Sequence, residues 1–116
     1  MKIVYIAGPY RGISEHAVRM NIRRAEEEAL FVWSEGGAAM CPHKNTAGFG
    51  GAYGIPDETW LAGDLELLAR CDAIYPIQEW MYSSGAKVEV QFAREHGIKI
   101  LYGRDDVRKY LRENKR

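Results

Sequence analysis

Four short apolar segments, separated by stretches of helix length, constrain this chain more than any other feature. Lys2-Ile3-Val4-Tyr5-Ile6-Ala7 is the first, and Ala38–Cys41, Asp72–Ile77 and Ile98–Tyr102 follow. Such runs are apolar on both alternating faces, which suits parallel strands covered from both sides. Between them lie helical patterns. Ser14 reads as an N-cap for a helix over His16–Glu35, whose Val18, Ile22, Ala25, Ala29 and Trp33 recur at three- and four-residue steps and predict one buried stripe. Gly36-Gly37 stops it. Pro56-Asp57-Glu58 opens a second helix to about Ala69, with Trp60, Leu61, Leu65 and Leu68 as its core face. A third follows Tyr82-Ser83-Ser84-Gly85 and runs to His96, and Asp105 caps a last one to about Arg112, with Asn114–Arg116 expected to fray. Strand alternating with helix along the whole chain predicts a single α/β domain, a parallel sheet of four to five strands with helices on both faces.

Bulk properties narrow the function classes. The 116 residues suffice for one core, and 47% hydrophobic with 28% charged residues is ordinary for a globular protein. Lys+Arg and Asp+Glu are both 16, so no net charge argues for nucleic acid or a membrane surface as partner. Cys41 and Cys71 are far apart in apolar contexts, which predicts reduced thiols, and Cys41 with His43 lacks a second ligand pair, so no metal is expected. The first residues form a strand rather than a leader, and no apolar run has membrane-spanning length. The expected setting is cytoplasmic.

In open parallel sheets ligands bind outside the carboxyl ends of the strands. The loops predicted there are Gly8–Gly12, the glycine-rich His43–Ile55 and Gln78–Gly85. They hold Tyr10, Arg11, His43, Asn45, Trp80, Ser83 and Ser84. The Ser/Gly turn opening the third helix is a seat for an anion, because a helix start offers free N–H groups and partial positive charge. Glu89, farther along that helix, has Gly85, Ala86 and Ala93 four and three residues before it and four after it. Small neighbours leave room for a ligand, although a half-exposed flank acid fits the periodicity equally well. Asp64 lies at the border of the second helix's apolar face, where an ordinary exposed acid is the plainer reading. Two carboxylates around one cleft would suit glycosidic chemistry, with Glu89 attacking and kept ionised at neutral pH by its helix start.

Taken in order, Ile6-Ala7-Gly8-Pro9-Tyr10, Asp64-Leu65, Cys71-Asp72-Ala73-Ile74, Ser83-Ser84-Gly85-Ala86-Lys87-Val88-Glu89, Ala93 and Gly97-Ile98 resemble the nucleoside 2-deoxyribosyltransferase superfamily over about Lys2 to Leu101. The likeness is to a small phage and bacterial branch, similar to nucleoside 5′-monophosphate N-glycosidases. It implies a flavodoxin-like (Rossmann-like) doubly wound fold and cleavage of an N-glycosidic bond without a cofactor. Glu89 matches the nucleophile that forms a covalent sugar–enzyme intermediate, and Asp64 the acid that protonates the leaving base. Tyr10 lies in the loop that helps position the nucleophile, and Arg11 falls near the phosphate.

Ser83, six residues before Glu89, matches hydrolases of monophosphates, whereas transferases acting on free nucleosides carry an acid there. Gly8, Arg11, Ser83, Ser84 and Gly85 form the expected phosphate seat, and His43, Asn45 and Trp80, with Tyr53, are the candidates to contact the base, a core or interface role fitting Trp80 at least as well. Where family members often have two glycines before the nucleophile, this chain follows Gly85 with Ala86 and Lys87. A deoxyribosyltransferase and a non-catalytic nucleotide-binding module are the alternative readings. The resemblance also implies a homodimer or larger assembly, for which Ala29, Phe31, Trp33, Trp60 and Met81 offer apolar surface.

Overall fold

In a computed structural model, which describes residues 1–115, the predicted alternation of strands and helices folds around one sheet. Its elements are β1 (Ile3–Ala7), α1 (Glu15–Ser34), β2 (Ala38–Met40), α2 (Pro42–Asn45), α3 (Glu58–Leu68), β3 (Ala73–Pro76), α4 (Ser84–Glu95), β4 (Lys99–Ile100) and α5 (Arg104–Glu113). The four strands are all parallel in the order β2-β1-β3-β4. The chain therefore winds from β1 out to β2, then crosses to the other side of β1 for β3 and β4. This is the flavodoxin-like doubly wound arrangement, and its switch point lies between β1 and β3.

β1 is central because its residues have no polar face to show to water. Val4, Tyr5, Ile6 and Ala7 are all fully buried, and the strand period of two sends them alternately to opposite sides. Val4 and Ile6 join Ala25, Ala29 and Val32 of α1 and Val107 and Leu111 of α5. Tyr5 and Ala7 join Leu68 of α3 and Ala86, Val90 and Ala93 of α4. The two helix layers are thus α1/α5 on one face and α3/α4 on the other.

Several boundaries differ from the sequence reading for local reasons. Ser14 caps α1 as expected, accepting from the Ala17 N–H. The buried stripe is narrower than predicted, since Trp33 is 53% exposed and Val18 and Ile22 are only half-buried. Trp33 follows Val32, and a step of one residue turns the side chain about 100° away from the core. On α3, Leu68 alone is fully buried, while Trp60, Leu61 and Leu65 are half-buried, because that helix also walls a cavity. β4 shortens to two residues, since Leu101 N–H still bonds Ile74 but Tyr102 N–H turns to Asp106 Oδ2. α5 begins at Arg104 after Gly103, so Asp105 sits in its first turn rather than capping it. Asn114 is the C-cap, and the predicted fraying at Arg116 lies outside the described residues.

A polar clamp joins α1 to α5 over β3. Glu28 accepts from the Tyr75 hydroxyl at 2.6 Å and from Arg104 Nε and Nη2 at 2.9 and 3.0 Å. Arg104 also lies over the Phe31 ring. These bonds outweigh the cost of burial and hold the Glu28 carboxyl below the usual carboxylate range. Its contribution is present above the ordinary carboxylate pKa and fades as pH falls through the lowered value. Glu28→Gln is expected to lower Tm by about 4 °C at neutral pH, and thermal melts at descending pH should show wild type and variant converging.

Candidate active site

The end of β1 and its loop, the short helix after β2, one face of α3 and the start of α4 open onto one cavity of about 680 Å³, a size ordinary for a small-molecule site. Gly8, Tyr10, Arg11, His43, Asp64, Ser83, Ser84, Gly85 and Glu89 all line it. Nine residues scattered from one end of the sequence to the other are thereby brought together by the topology. Asn45 and Trp80 are not. Asn45 turns to a separate groove beside Trp33 and Met40, and Trp80 packs against the core formed by Tyr5, Ala86 and Val90. Tyr53 is fully exposed, at a positive φ of 53°. These three residues do not face the cavity as candidate base contacts.

The β1–α1 loop is held in place from below. Gly8 packs so closely on Ile77 that a Cβ would lie 2.5 Å from its Cγ1. Asn21 Nδ2 donates to the Tyr10 and Arg11 carbonyls at 3.1 and 3.2 Å, pinning the loop to α1. Arg11 projects into solvent and pairs with Asp57 at 3.6 Å. Across the cavity, Ser83 is the N-cap of α4, and its Oγ accepts from the Ala86 N–H at 3.2 Å. The Ser83 hydroxyl proton is left for a ligand. His43 is 5% exposed. Its Nε2 is 2.9 Å from the Pro9 carbonyl, and its ring meets Tyr10 edge-on.

Glu89 is the buried acid of the site, 7% exposed on the inner face of α4. Its partner is Tyr5, whose hydroxyl donates to Oε2. Tyr10, the tyrosine expected to position Glu89, instead packs on His43. Tyr5 was missed because β1 reads as an apolar strand. The available signal was that a buried tyrosine hydroxyl must find a partner, and the strand alternation puts it on the side where α4 packs. Burial and the nearby Glu89 push the Tyr5 phenol far above its ordinary pKa, so it acts as donor only.

The expectation that the helix start keeps Glu89 ionised at neutral pH is overturned. Burial raises its pKa to about 8; the Tyr5 hydrogen bond opposes this, and the Asp64 charge adds to it. Glu89 lies in the second turn of α4, beyond the reach of the free N–H groups at the helix start. Asp64, half-buried on α3, is raised to about 6 by burial. The two carboxyls repel, so they titrate as a pair that carries one negative charge between these values.

Below the unfolded pKa both states hold the Glu89 proton; above it only the folded state does, so stability falls as pH rises toward 8. Glu89→Gln removes that cost. The variant should melt about 4 °C or more above wild type near pH 8, with the gain shrinking toward zero near pH 5. A gain that is absent, or that grows on acidification, would contradict the burial argument.

A search of curated proteins finds no match. The family model described as a domain of unknown function (DUF4406) matches residues 2–102, which takes in the sheet and every residue of the cavity named above, and the chain belongs to that family.

Proposed function

We propose that this protein hydrolyses the N-glycosidic bond of a nucleoside or deoxynucleoside 5′-monophosphate, as its resemblance to the nucleoside 2-deoxyribosyltransferase superfamily implies. The observation that carries this reading is a buried Glu89 held by Tyr5 in a cavity that also exposes Asp64. A carboxylate is costly to bury, and a fold that keeps one beside a second acid in a ligand-sized cleft is arranged for acid–base or nucleophilic work.

The chemistry follows from the atoms available. Tyr5 occupies Oε2 of Glu89, so Oε1 is the oxygen that attacks the anomeric carbon. As that bond forms, the bond from carbon to base nitrogen breaks and its electron pair leaves with the base. Asp64, in its protonated form, delivers a proton to the departing base. Water then attacks the same carbon, the ester to Glu89 breaks, and the water's proton returns to Asp64. The singly ionised carboxyl pair keeps its proton mainly on Glu89, whose value is the higher, and the form that starts the cycle is the other arrangement of the same charge, with the proton on Asp64 and Glu89 ionised. The Ser83 hydroxyl, the free N–H groups of α4 and Arg11 are suited to the phosphate, Arg11 by exchanging its weak exposed contact with Asp57 for the ligand.

Transfer of the sugar to a second base differs only in what captures the intermediate. A non-catalytic nucleotide-binding module would keep the phosphate seat, but it would leave the burial of Glu89 without a purpose. Self-association belongs to the same proposal, with a cytoplasmic setting. Trp33 and Met81 are exposed in its favour, whereas Ala29 and Phe31 pack in their own core. No helix among the described residues is long and apolar enough to cross a membrane.

The reading is tested by incubating the protein with each nucleoside monophosphate, with and without a second free base, and measuring base release. Hydrolysis without acceptor is expected, with a bell-shaped pH profile whose limbs fall near the pair's values of about 6 and 8. Products that form only with an acceptor base would replace the hydrolase with the transferase. No base release from any nucleotide, with wild type and Glu89→Ala binding one equally well, would leave the binding module.

A further inference from the structure

Among the described residues, two buried side-chain polar atoms lack a hydrogen-bond partner, His43 Nδ1 and Trp60 Nε1. Both residues line the same cavity. Native folds leave few such atoms unpaired, and each costs about 1–3 kcal/mol. The two nitrogens have almost no accessible surface, but their rings share one cavity, and a ligand there could supply both partners after a small rotation of each ring.

Their chemistry is defined by their surroundings. His43 Nε2 faces the Pro9 carbonyl at 2.9 Å, and a carbonyl accepts only, so Nε2 carries the proton. Burial disfavours a second proton on the ring and lowers its pKa, against the opposing pull of the Pro9 and Gly8 backbone. Nδ1 is therefore an acceptor. Trp60 Nε1 is a donor and nothing else. Each ring is held by an aromatic neighbour, His43 by Tyr10 and Trp60 by Phe49, with centroids 5.9 and 6.1 Å apart.

Their placement selects the part of the ligand they meet. Trp60 precedes Asp64 by four residues on α3, so the two share a helix face. If Asp64 hands its proton to the departing base, the base lies along α3. The anion seat at Ser83 belongs to α4. We infer that His43 and Trp60 recognise the base itself, Trp60 donating to and His43 accepting from a heterocycle that offers both an acceptor and a donor. This assignment rests on the nucleotide reading above and adds to it the class of base. A heterocycle without an exocyclic or ring N–H donor leaves His43 unpaired and is discriminated against.

Two variants separate recognition from folding. His43→Phe keeps an aromatic ring against Tyr10 while deleting the acceptor at Nδ1, together with the donor to Pro9. Trp60→Phe keeps an aromatic ring against Phe49 while deleting the N–H. In a Glu89→Gln background, which holds intact nucleotide, calorimetry would compare adenosine, guanosine and uridine 5′-monophosphates, purine riboside 5′-monophosphate (which has no N–H donor) and ribose 5-phosphate. Each variant should weaken the best-bound nucleotide about tenfold or more and change ribose 5-phosphate by less than about twofold. Purine riboside monophosphate should bind the parent more weakly than adenosine monophosphate and should be indifferent to His43→Phe. Equal losses for nucleotide and sugar phosphate, or no loss for either, would overturn the assignment. Failure of the parent to bind either ligand would overturn the nucleotide reading, and this assignment with it.

Discussion

One hydrogen bond, from the Tyr5 hydroxyl to Glu89, organises this molecule. It joins the central strand to the helix that starts at the cavity, across 84 positions of sequence. Tyr5 can make it only because β1 is flanked on both sides by parallel partners and buries all of Val4 to Ala7. Glu89 can receive it only because α4 lies close on the sheet through Ala86, Val90 and Ala93, two of them alanines. The cost is a carboxyl whose charge is disfavoured up to about pH 8. The two apolar layers around the sheet offset that cost, as is common where an active site stores instability.

The charges around the cavity are unequal. Asp57, Asp64 and Glu89 line it together with a single arginine, Arg11. If all three acids were ionised, the field would oppose an anionic ligand. Burial moderates this, because the raised pKa values of Asp64 and Glu89 leave that pair with one charge near neutrality. The contact of Arg11 with Asp57 is long, and both side chains are mostly exposed, so it holds Arg11 only weakly. The groups suited to a phosphate are therefore the start of α4, the Ser83 hydroxyl and the exposed Arg11 guanidinium.

Much of this was legible in the sequence, for physical reasons. Alternating apolar strands and amphipathic helices define a parallel sheet with few possible topologies, and that topology places three loops at one edge. Glu89, Asp64, Arg11 and Ser83 could be singled out because polar residues in those loops and beside small residues stand apart. Less legible was everything decided by contact between distant segments. Tyr5 looked like one more core residue, since strand patterning shows burial but not the partner of a hydroxyl. Tyr10, in the loop itself, carries the stronger sequence signal although it packs on His43. Asn45 and Trp80 sit in the right loops but on the wrong sides, because the short helix α2 turns Asn45 away and a 3-10 turn over Trp80–Tyr82 folds Trp80 into the core. The ionisation of Glu89 was misjudged because helix position is visible in sequence and depth of burial is not.

The central claim is that Glu89 forms a bond to sugar carbon. The most direct measurement is intact and peptide mass spectrometry after reaction with a nucleoside 5′-monophosphate bearing fluorine at the sugar 2′ carbon, which slows breakdown of a glycosyl ester. The account predicts a mass increase of one fluorosugar phosphate residue, located on the peptide containing Glu89 and absent in Glu89→Gln. Release of base with no adduct at any time, or an adduct on another side chain, would contradict it.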